Sequence, residues 1–287
     1  MKNSLPKLVI FGDPEKGQLA EVVAEFEGFA KGKAQIIANC HIDQCTDDIL
    51  REVDFAVVFG GDGSIISAAR SLSRSGVPVI GVNLGKLGFL AEFSVSELKE
   101  FFDGIISGKT LIEKRMMLSC RVFSGEKEKF CSVALNDVFI AAGPPFRMVE
   151  LKISVDGQPL AGCISDGLVI STPTGSTAYN LSAGGPILSP KMEAMVIAPI
   201  CPHSLSFRPI VINADGRVEV FGVRVNEGTT VSIDGQVSCS LLLDDVVRVE
   251  RESSDFLIVN NPLRTRWDTL ATKLNWAEKP KYKRDDG

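Results

Sequence analysis

The feature that most constrains the fold is an apolar run that ends in glycines and is followed by a helical pattern. Phe55–Phe59 are all apolar and mostly β-branched or aromatic, which predicts a buried strand. Residues 60–64 are Gly-Gly-Asp-Gly-Ser, and residues 65–72 have a pattern that predicts a helix. A strand that turns through glycines into a helix points several backbone N–H groups, and the positive end of the helix dipole, at one spot. The sequence therefore predicts a phosphate site at this turn.

Asp62 is the single acid within this glycine turn. A kinase needs a carboxylate at such a place, either to take a proton from an attacking hydroxyl or to hold Mg²⁺. The alternative is that Asp62 caps the helix and that the glycines only turn the chain. The turn lacks the spacing and the Gly-Lys-Ser/Thr ending of a P-loop, and it does not follow the GxGxxG dinucleotide pattern. The kinase interpretation therefore needs support from the rest of the chain.

Strand patterns and helix patterns alternate in the amino-terminal part of the chain. Strands are predicted at residues 7–11, 35–38, 55–59 and 77–82, with helices between them and a Ser94/Glu97 capping box that opens a further helix. This alternation predicts a parallel α/β sheet. A second glycine-rich loop, residues 85–90, follows the strand at 77–82. Because ligands bind beyond the carboxyl ends of strands in such sheets, the two glycine loops support one another as parts of a site.

Short strands separated by turns replace the helices in the rest of the chain. They are predicted at residues 118–123, 130–134, 138–140, 151–155, 168–171, 196–200, 218–225, 230–233, 246–250 and 256–259. Asp156-Gly157 and Asp234-Gly235 predict hairpins. The predicted fold class is an α/β amino-terminal domain with a parallel sheet, residues 1–112, and a predominantly β carboxy-terminal domain of two sheets, residues 113–260. Residues 261–287 are expected to form a helix, packed on the first domain or on a neighbouring subunit, and a charged tail.

The composition argues against several classes of protein. The chain of 287 residues has a net charge of −5, which argues against broad binding to nucleic acid or to an anionic membrane. No apolar segment approaches the roughly 20 residues of a membrane span, and the first apolar run is too short for a signal peptide. Seven cysteines without a CxxC pair fit a reducing compartment. The expected location is the cytoplasm, and Cys40, His41 and Cys45 are expected to be ordinary side chains rather than metal ligands.

The stretch at residues 165–186, SDGLVISTPTGSTAYNLSAGGP, is the most unusual in the chain. Its hydroxyls and exposed amides suit phosphates and sugars, and the ring of Tyr179 can lie against a base. Upstream, Asn136 offers an amide for an adenine edge and Asp137 a carboxylate for a ribose diol. The alternatives are a long turn and simple backbone capping by the Asn and Asp. For the Asn136-Asp137 pair alone, backbone capping is favoured. For the polar loop a ligand is favoured, because ordering such a loop without one costs entropy.

Several motifs together resemble those of NAD kinases. They are GGDGS, GVNLGKLGFL, the Asn136-Asp137 pair, DGLVISTPTGSTAYNLSAGGPIL, the segment at residues 202–209 and Asp234-Gly235-Gln236, and they span about residues 8–276 in that family's order. GGDG alone is shared with lipid kinases and phosphofructokinases, whereas GGDG together with TPTGSTAY is specific. The resemblance implies a kinase that phosphorylates the 2′-hydroxyl of the adenosine ribose of NAD to give NADP. ATP or polyphosphate is the implied donor, with Mg²⁺ or another divalent ion as cofactor.

The resemblance also implies the site residues, in a cleft between the two domains. Asp62 is the implied acid that activates the 2′-hydroxyl, with Gly63 beside it, and Asn136 and Asp137 grip the adenine-side nucleoside. The other implied binding residues are Asp166, Thr174, Thr177, Ala178, Tyr179, Asn180, Leu181, Ser182, Gln236 and Arg147. For Arg147, a solvated surface position is the alternative. The family assembles as dimers or tetramers, so self-association that brings a neighbouring subunit to the site is expected.

Three departures from the family pattern bear on the chemistry. Ser64 replaces the commoner threonine but keeps the hydroxyl, and Lys86 replaces an arginine, which weakens a bidentate phosphate contact. Asp137 is one methylene shorter than the usual glutamate, so its bond to the ligand is expected to run through water. An aspartate with the ordinary pKa of about 3.9 is a poor base at neutral pH, so Asp62 either has a raised pKa or orients the hydroxyl and the metal. A lipid kinase sharing GGDG and a catalytically silent NAD-binding regulator remain open alternatives.

Overall fold

The structure is a computed structural model that describes residues 5–12, 17–85, 88–144 and 148–276. The strands of the amino-terminal half are β1 (Lys7–Phe11), β2 (Gln35–Cys40), β3 (Phe55–Phe59), β4 (Val79–Asn83), β5 (Phe93–Ser94), β6 (Ile112–Arg115), β7 (Leu118–Ser124), β8 (Lys127–Ala134) and β9 (Asp137–Ala141). They are followed by β10 (Val149–Val155), β11 (Gln158–Ser165), β12 (Gly167–Ser171), β13 (Ala194–Ile200), β14 (Ile210–Asn213), β15 (Val218–Arg224), β16 (Thr230–Ile233), β17 (Val237–Ser240), β18 (Asp245–Arg251) and β19 (Phe256–Val259). The α-helices are α1 (Gly17–Ala30), α2 (Asp47–Glu52), α3 (Asp62–Leu72), α4 (Val95–Ile106), α5 (Tyr179–Ser182) and α6 (Arg266–Leu274). Among the described residues, no helix combines the length and the apolar content that a membrane crossing requires.

The chain divides into two compact units. The first contains the described residues of Met1–Ile65, Val77–Glu113 and Ile258–Gly287, and the second contains those of Ile66–Gly76 and Lys114–Leu257. The division falls inside α3. The domain boundaries predicted after residues 112 and 260 stay predictions.

The first unit is built on a seven-stranded sheet with the order β2-β1-β3-β4-β19-β6, in which β5 also pairs with β4. The pairs of β1 with β2 and β3, of β3 with β4, and of β4 with β5 and β19 are parallel. All five residues of β3 are buried, as expected for a parallel strand covered on both faces. Because β3 and β4 are parallel neighbours, the two glycine loops that follow them start at the same edge of the sheet. The predicted parallel α/β unit is confirmed.

Helices α1 and α4 contribute aromatic side chains to the core of this unit. The ring of Phe26 lies edge-to-face with Phe59 and with Phe102, at 5.5 Å between centroids in both pairs. Such pairs contribute about 0.5–1.5 kcal/mol each beyond the area they bury. The predicted capping box opens α4: Ser94 Oγ accepts from the N–H of Glu97 at 3.2 Å, and Glu97 Oε2 accepts from the N–H of Ser94 at 2.8 Å. The first turn of α4 therefore has the partners that it needs.

The second unit is a sandwich of two six-stranded antiparallel sheets, β11-β10-β15-β18-β7-β8 and β14-β13-β12-β9-β16-β17. Side chains from both sheets, among them Leu151 and Leu168, form one core. Along β7, buried residues alternate with more exposed ones, the pattern of a sheet with one face in a core. Both residues of the Asp156-Gly157 and Asp234-Gly235 turns have positive φ angles, as type I′ hairpins require. The predicted two-sheet β unit and both hairpins are confirmed.

Helix α6 lies where the sequence predicts a carboxy-terminal helix. Thr265 and Asp268 form a capping box at its start, and Asn275 ends it with a left-handed φ of 48°. The side chain of Trp267 is 63% exposed. The surface on which this helix packs stays a prediction, and the predicted charged tail lies outside the described residues.

Several strands differ from the expectation. The strand at residues 256–259 is expected in the β-rich half, whereas β19 pairs in parallel with β4 in the sheet of the first unit. Its four apolar residues suit a buried strand in either setting, so its partner depends on contacts far apart in the sequence. β5, β6 and β14 have no counterpart among the predicted strands, and β11 and β17 are expected only as the second arms of the Asp156-Gly157 and Asp234-Gly235 hairpins. β6, Ile-Glu-Lys-Arg, lacks an apolar alternation.

Candidate active site

The turn between β3 and α3 requires glycine at its first position. A Cβ on Gly60 would collide with the side chain of Ser64, which lies one helical turn further along. The N–H of Gly60 donates to the carbonyl of Val82 at 2.9 Å, which ties the turn to β4. Gly61, Gly63 and Ser64 are exposed, and Asp62 is half-buried. The turn predicted to bind phosphate therefore has exposed residues around its acid.

Three consecutive backbone N–H groups at the end of the second glycine loop and just past it donate to the carboxylate of Asp62. Phe89 donates to Oδ2 at 2.8 Å, and Leu90 and Ala91 donate to Oδ1 at 3.0 and 3.1 Å. A Cβ on Gly88 would overlap this carboxylate. A carboxylate has about four acceptor positions, so about one remains for a ligand. Asp62 thus fixes the second glycine loop and keeps little capacity for further partners.

Asp234 holds a second segment in the same way, by accepting from its backbone N–H groups. It lies in the turn between β16 and β17, and its carboxylate accepts from the N–H groups of Leu135, Asn136 and Asp137 at 3.0, 2.7 and 3.0 Å. The side chain of Asp234 is fully buried. The backbone of the segment that carries Asn136 and Asp137 is therefore fixed, and it sets the positions from which these two side chains project.

The carboxyl group of Asp137 is buried next to that of Asp234. Burial raises the pKa of Asp137 to about 7, the neighbouring Asp234 adds to the rise, and the backbone N–H of Tyr179 opposes it by donating to the carboxyl group. Burial also raises the pKa of Asp234, while its three backbone N–H donors and Arg70 lower it. Asp137 therefore changes protonation near neutral pH, whereas an exposed aspartate does so at about pH 3.9.

The polar loop after β12 packs against the segment held by Asp234. The hydroxyl of Thr172 donates to the carbonyl of Leu135 at 2.6 Å and accepts from the N–H of Gly175 at 3.0 Å. The N–H of Thr172 donates to the carbonyl of Asn136 at 2.8 Å. A Cβ on Gly175 would overlap the backbone of Asn136. Glycine at this position therefore lets the two segments touch, and the structure brings together two parts of the predicted site.

The predicted wall residues of this loop have different degrees of burial. Tyr179 is 37% exposed, and its ring lies edge-to-face with Phe139 at 5.1 Å. Asn180 is fully buried and donates to the carbonyls of Ser176 and Pro186 at 3.0 and 3.1 Å, so its amide nitrogen serves the loop itself. Thr174 is buried, and its hydroxyl has no hydrogen-bond partner within the described part of the chain. The remaining wall residues are half-buried (Thr177, Ala178, Leu181) or exposed (Ser182).

The other predicted residues lie at more scattered positions. The amide oxygen of Gln236 accepts from Arg70 Nη2 at 2.7 Å. Asp166 is exposed at the junction of β11 and β12, where its backbone bonds to Ile200 and Ala142. Arg147 lies outside the described residues. Asp62 and Gly63 belong to the first unit, and the other described candidates belong to the second.

Comparison with known proteins bears directly on the resemblance. A family model described as "ATP-NAD kinase N-terminal domain" matches residues 17–110, and one described as "ATP-NAD kinase C-terminal domain" matches residues 135–261. An NAD kinase of Geotalea daltonii is 37% identical over 285 residues, which cover 96% of this chain and 100% of the relative. An NAD kinase of Geobacter metallireducens is 42% identical over 234 residues, which cover 82% and 83%.

The chain belongs to the NAD kinase family. The resemblance carried by the motifs is thereby confirmed, and so is the predicted enzyme class, a phosphotransferase that phosphorylates NAD with ATP as donor.

Solved structures of NAD and NADH kinases share the fold of this chain. The yeast NADH kinase complexed with NADH matches with a TM-score of 0.86 at 26% identity, over 98% of this chain and 90% of the yeast chain. An NAD kinase from Archaeoglobus fulgidus in complex with ATP matches with a TM-score of 0.73 at 24% identity, over 94% and 99%. The second likeness concerns the fold alone.

Sequence reasoning missed several residues that organise the site of this NAD kinase family member. The sequence indicates Asp234 only as part of a hairpin turn and a motif, and Gly88 only as part of a glycine loop. Their roles depend on partners about 100 and 26 positions away in the chain, and no local pattern carries that information. The role of Arg70 also depends on partners far away in the chain, so no local pattern reveals it. Its one signal is a basic residue in the last turn of a helix.

Proposed function

We propose that this chain transfers the terminal phosphoryl group of ATP to the 2′-hydroxyl of the adenosine ribose of NAD, which yields NADP. The proposal rests on the position of Asp62, together with membership of the chain in the NAD kinase family. Its carboxylate stands at the start of α3 and is fixed by three backbone N–H groups. A fixed acid beside a glycine turn suits a reaction that depends chiefly on positioning.

Asp62 is proposed to orient the 2′-hydroxyl. Three of its roughly four acceptor positions are occupied by N–H donors, and the one that remains suffices for a single hydroxyl group. Phosphoryl transfer passes through a loose transition state in which alignment matters more than early removal of the proton. Of the two roles left open by the sequence, this geometry supports alignment of the hydroxyl over strong general-base action.

The glycine loops after β3 and β4 are proposed to receive the phosphates of the donor. Their support is the shared edge of the two parallel strands and the helix start at Asp62, where the positive end of the helix dipole favours anions. ATP is the proposed donor, and polyphosphate is the alternative. Gly63 and Ser64, both exposed at this turn, are the proposed neighbours of the phosphates.

A divalent ion, Mg²⁺ or another, is proposed to accompany the donor. Within the described ranges, no group of three or more His, Cys, Asp or Glu side chains is placed to hold a metal ion. Mg²⁺ in kinases is commonly held by substrate phosphates and water together with only one or two carboxylates. Because the one acceptor position left on Asp62 is assigned to the 2′-hydroxyl, the donor phosphates are proposed to supply most of the ligands of the ion. When bound, the ion neutralises charge on the phosphate oxygens.

The dinucleotide is proposed to bind to the segments that the second unit brings together. Asn136 and Asp137 contact the adenine-side nucleoside, and Tyr179 lies against a ring of the ligand. The support is the fixed backbone at residues 135–137 and the half-exposed ring of Tyr179. Thr174, whose buried hydroxyl has no hydrogen-bond partner among the described residues, is proposed to lie at the entrance. The further proposed contacts are Asp166, Thr177, Ala178, Asn180, Leu181, Ser182, Gln236 and Arg147.

Self-association to a dimer or tetramer and a location in the cytoplasm are also proposed. Exposed apolar residues such as Leu205 and Trp267, at 91% and 63% exposure, support an assembly that covers some of them. Sedimentation equilibrium of the purified chain tests this point, and a single monomeric species at micromolar concentration argues against it.

A product assay with purified protein tests the proposed function. NAD or NADH is combined with Mg²⁺ and either ATP or polyphosphate, and NADP or NADPH is measured with a dehydrogenase specific for the phosphorylated dinucleotide. We expect NADP from NAD and ATP. Two parallel experiments address the rival classes. One supplies diacylglycerol in vesicles with labelled ATP, and the other measures binding of NAD alone by calorimetry.

These experiments separate the rival classes. Labelled lipid without NADP indicates a lipid kinase, and NAD binding without NADP indicates a silent regulator. Either result contradicts the proposal. Omitting Mg²⁺ and adding a chelator is expected to abolish NADP formation, and undiminished turnover would contradict the metal requirement.

A further inference from the structure

Arg70 joins α3 to the turn that holds Asn136 and Asp137. Its Nη2 donates to Gln236 Oε1 at 2.7 Å, and its Nη1 lies 4.0 Å from Asp234 Oδ2. The side chain of Arg70 is 19% exposed and that of Asp234 is fully buried. An ion pair with one fully buried partner is sensitive to loss of the other partner, because the remaining charge stays uncompensated.

The charge of Asp234 is what allows it to hold its segment. An ionised carboxylate only accepts, so it can receive three N–H groups, whereas a protonated one places an O–H among donors. Burial raises the pKa of Asp234, and Arg70 together with the three N–H groups lowers it. Asp137, whose carboxyl group lies close by, adds a second acid to the same buried region. Arg70 is thus the cation that offsets the nearest of these charges.

We propose that Arg70 is a positioning residue for dinucleotide binding, which acts by holding Asp234 and thereby the backbone at residues 135–137. The guanidinium group donates to Gln236 and lies within ion-pair distance of Asp234, although its Nη1 has no hydrogen-bond partner among the described residues. It thus engages two residues of the turn between β16 and β17. The side chains of Asn136 and Asp137 then project from a fixed backbone. This inference rests on the proposed function, which assigns these two residues to the nucleoside of NAD.

Substitutions at Arg70 test the proposal in the full-length chain. We expect Arg70→Met to raise the KM for NAD about tenfold, equivalent to about 1.4 kcal/mol, with kcat and the KM for ATP changed less than about threefold. Arg70→Lys keeps the charge but not the fork, so its KM for NAD is expected between those of wild type and Arg70→Met. Arg74→Met is the matched control, because Arg74 is 74% exposed and lies 4.0 Å from Glu252.

Hydrogen exchange gives a readout that does not depend on turnover. In Arg70→Met, exchange is expected to accelerate at the amides of Leu135, Asn136 and Asp137, which donate to Asp234. The amides of residues 89–91, which donate to Asp62, serve as an internal comparison and should not change. Calorimetric titration with NAD in the absence of donor measures the affinity directly.

Several results would overturn the proposal. One is a KM and dissociation constant for NAD in Arg70→Met equal to those of Arg74→Met. Another is a fall in kcat with the KM for NAD unchanged, which indicates general damage. If Arg70→Met does not fold, Arg70→Lys decides the matter, since a wild-type KM and wild-type exchange at residues 135–137 contradict the proposal. Failure of the proposed function is distinct, because the wild-type chain then makes no NADP.

Discussion

Gly88 lies so close to Asp62 that a Cβ at position 88 would overlap the Asp62 carboxylate. The three residues that follow Gly88 all donate their N–H groups to the same carboxylate. The acid proposed to orient the acceptor hydroxyl is therefore also the group that shapes the neighbouring glycine loop. A change on either side of this contact is expected to disturb both.

Gly88→Ala is expected to lower kcat/KM for ATP by about 100-fold, because the loop must move away from Asp62 and displacements near 1 Å can cost that much. Steady-state kinetics with varied ATP measures the effect. Gly85→Ala is the matched control in the same loop, since a Cβ there meets nothing within 4 Å. The control should stay within about twofold of wild type. Equal kinetics for the two variants would show that the contact with Asp62 has no bearing on catalysis.

Asp62→Asn is expected to reduce kcat by about 1,000-fold or more while NAD binding stays within about threefold. The amide retains one acceptor oxygen, but its NH₂ group must face one of the N–H donors from residues 89–91. Turnover and calorimetric titration with NAD measure the two effects separately. Asp48→Asn, an exposed position on α2, controls for the change in charge. Full activity in Asp62→Asn would dismiss Asp62 as the acid of the reaction.

The parts of this molecule that depend on neighbouring residues were predictable from the sequence. The Ser94/Glu97 capping box and the Asp156-Gly157 hairpin each depend on residues within a few positions, and β3 is recognisable from its apolar run. Pairing of β19 with β4 joins residues far apart in the chain. The same is true of the bonds from Asp234 to residues 135–137. The candidate loops and the acid Asp62 were therefore predictable, whereas the bonds by which Asp62 and Asp234 hold these segments in place were not.

Tyr179→Ala is expected to raise the KM for NAD about tenfold, because stacking of a base on an aromatic ring contributes about 1–3 kcal/mol. The ring is 37% exposed and is supported edge-to-face by Phe139, so it is presented to solvent in a fixed orientation. Steady-state kinetics with varied NAD measures the change. Tyr179→Phe keeps the ring and is expected to resemble wild type. Similar losses in both variants would point to the hydroxyl group rather than to stacking.

Asp137 is expected to make the stability of the chain fall as pH rises toward neutrality. An exposed aspartate ionises at about pH 3.9, whereas burial raises the pKa of Asp137 to about 7 in the folded chain. Between these values the folded chain holds a proton that the unfolded chain has lost, so raising the pH favours unfolding. Between about pH 5 and about pH 8, the free energy of unfolding is therefore expected to fall by ~2–3 kcal/mol. Above the folded pKa there is little further loss, because Asp137 is then ionised in both states.

The comparison of wild type with Asp137→Asn isolates this contribution, because the other titrating groups are common to both chains. The asparagine is neutral at every pH and keeps an acceptor for the N–H of Tyr179. Thermal unfolding of both chains across the same pH series should show the Tm of Asp137→Asn rising relative to wild type as pH increases, by several degrees. A Tm difference that does not vary with pH would mean that Asp137 titrates as an exposed carboxyl group, and the buried pair with Asp234 would then be excluded.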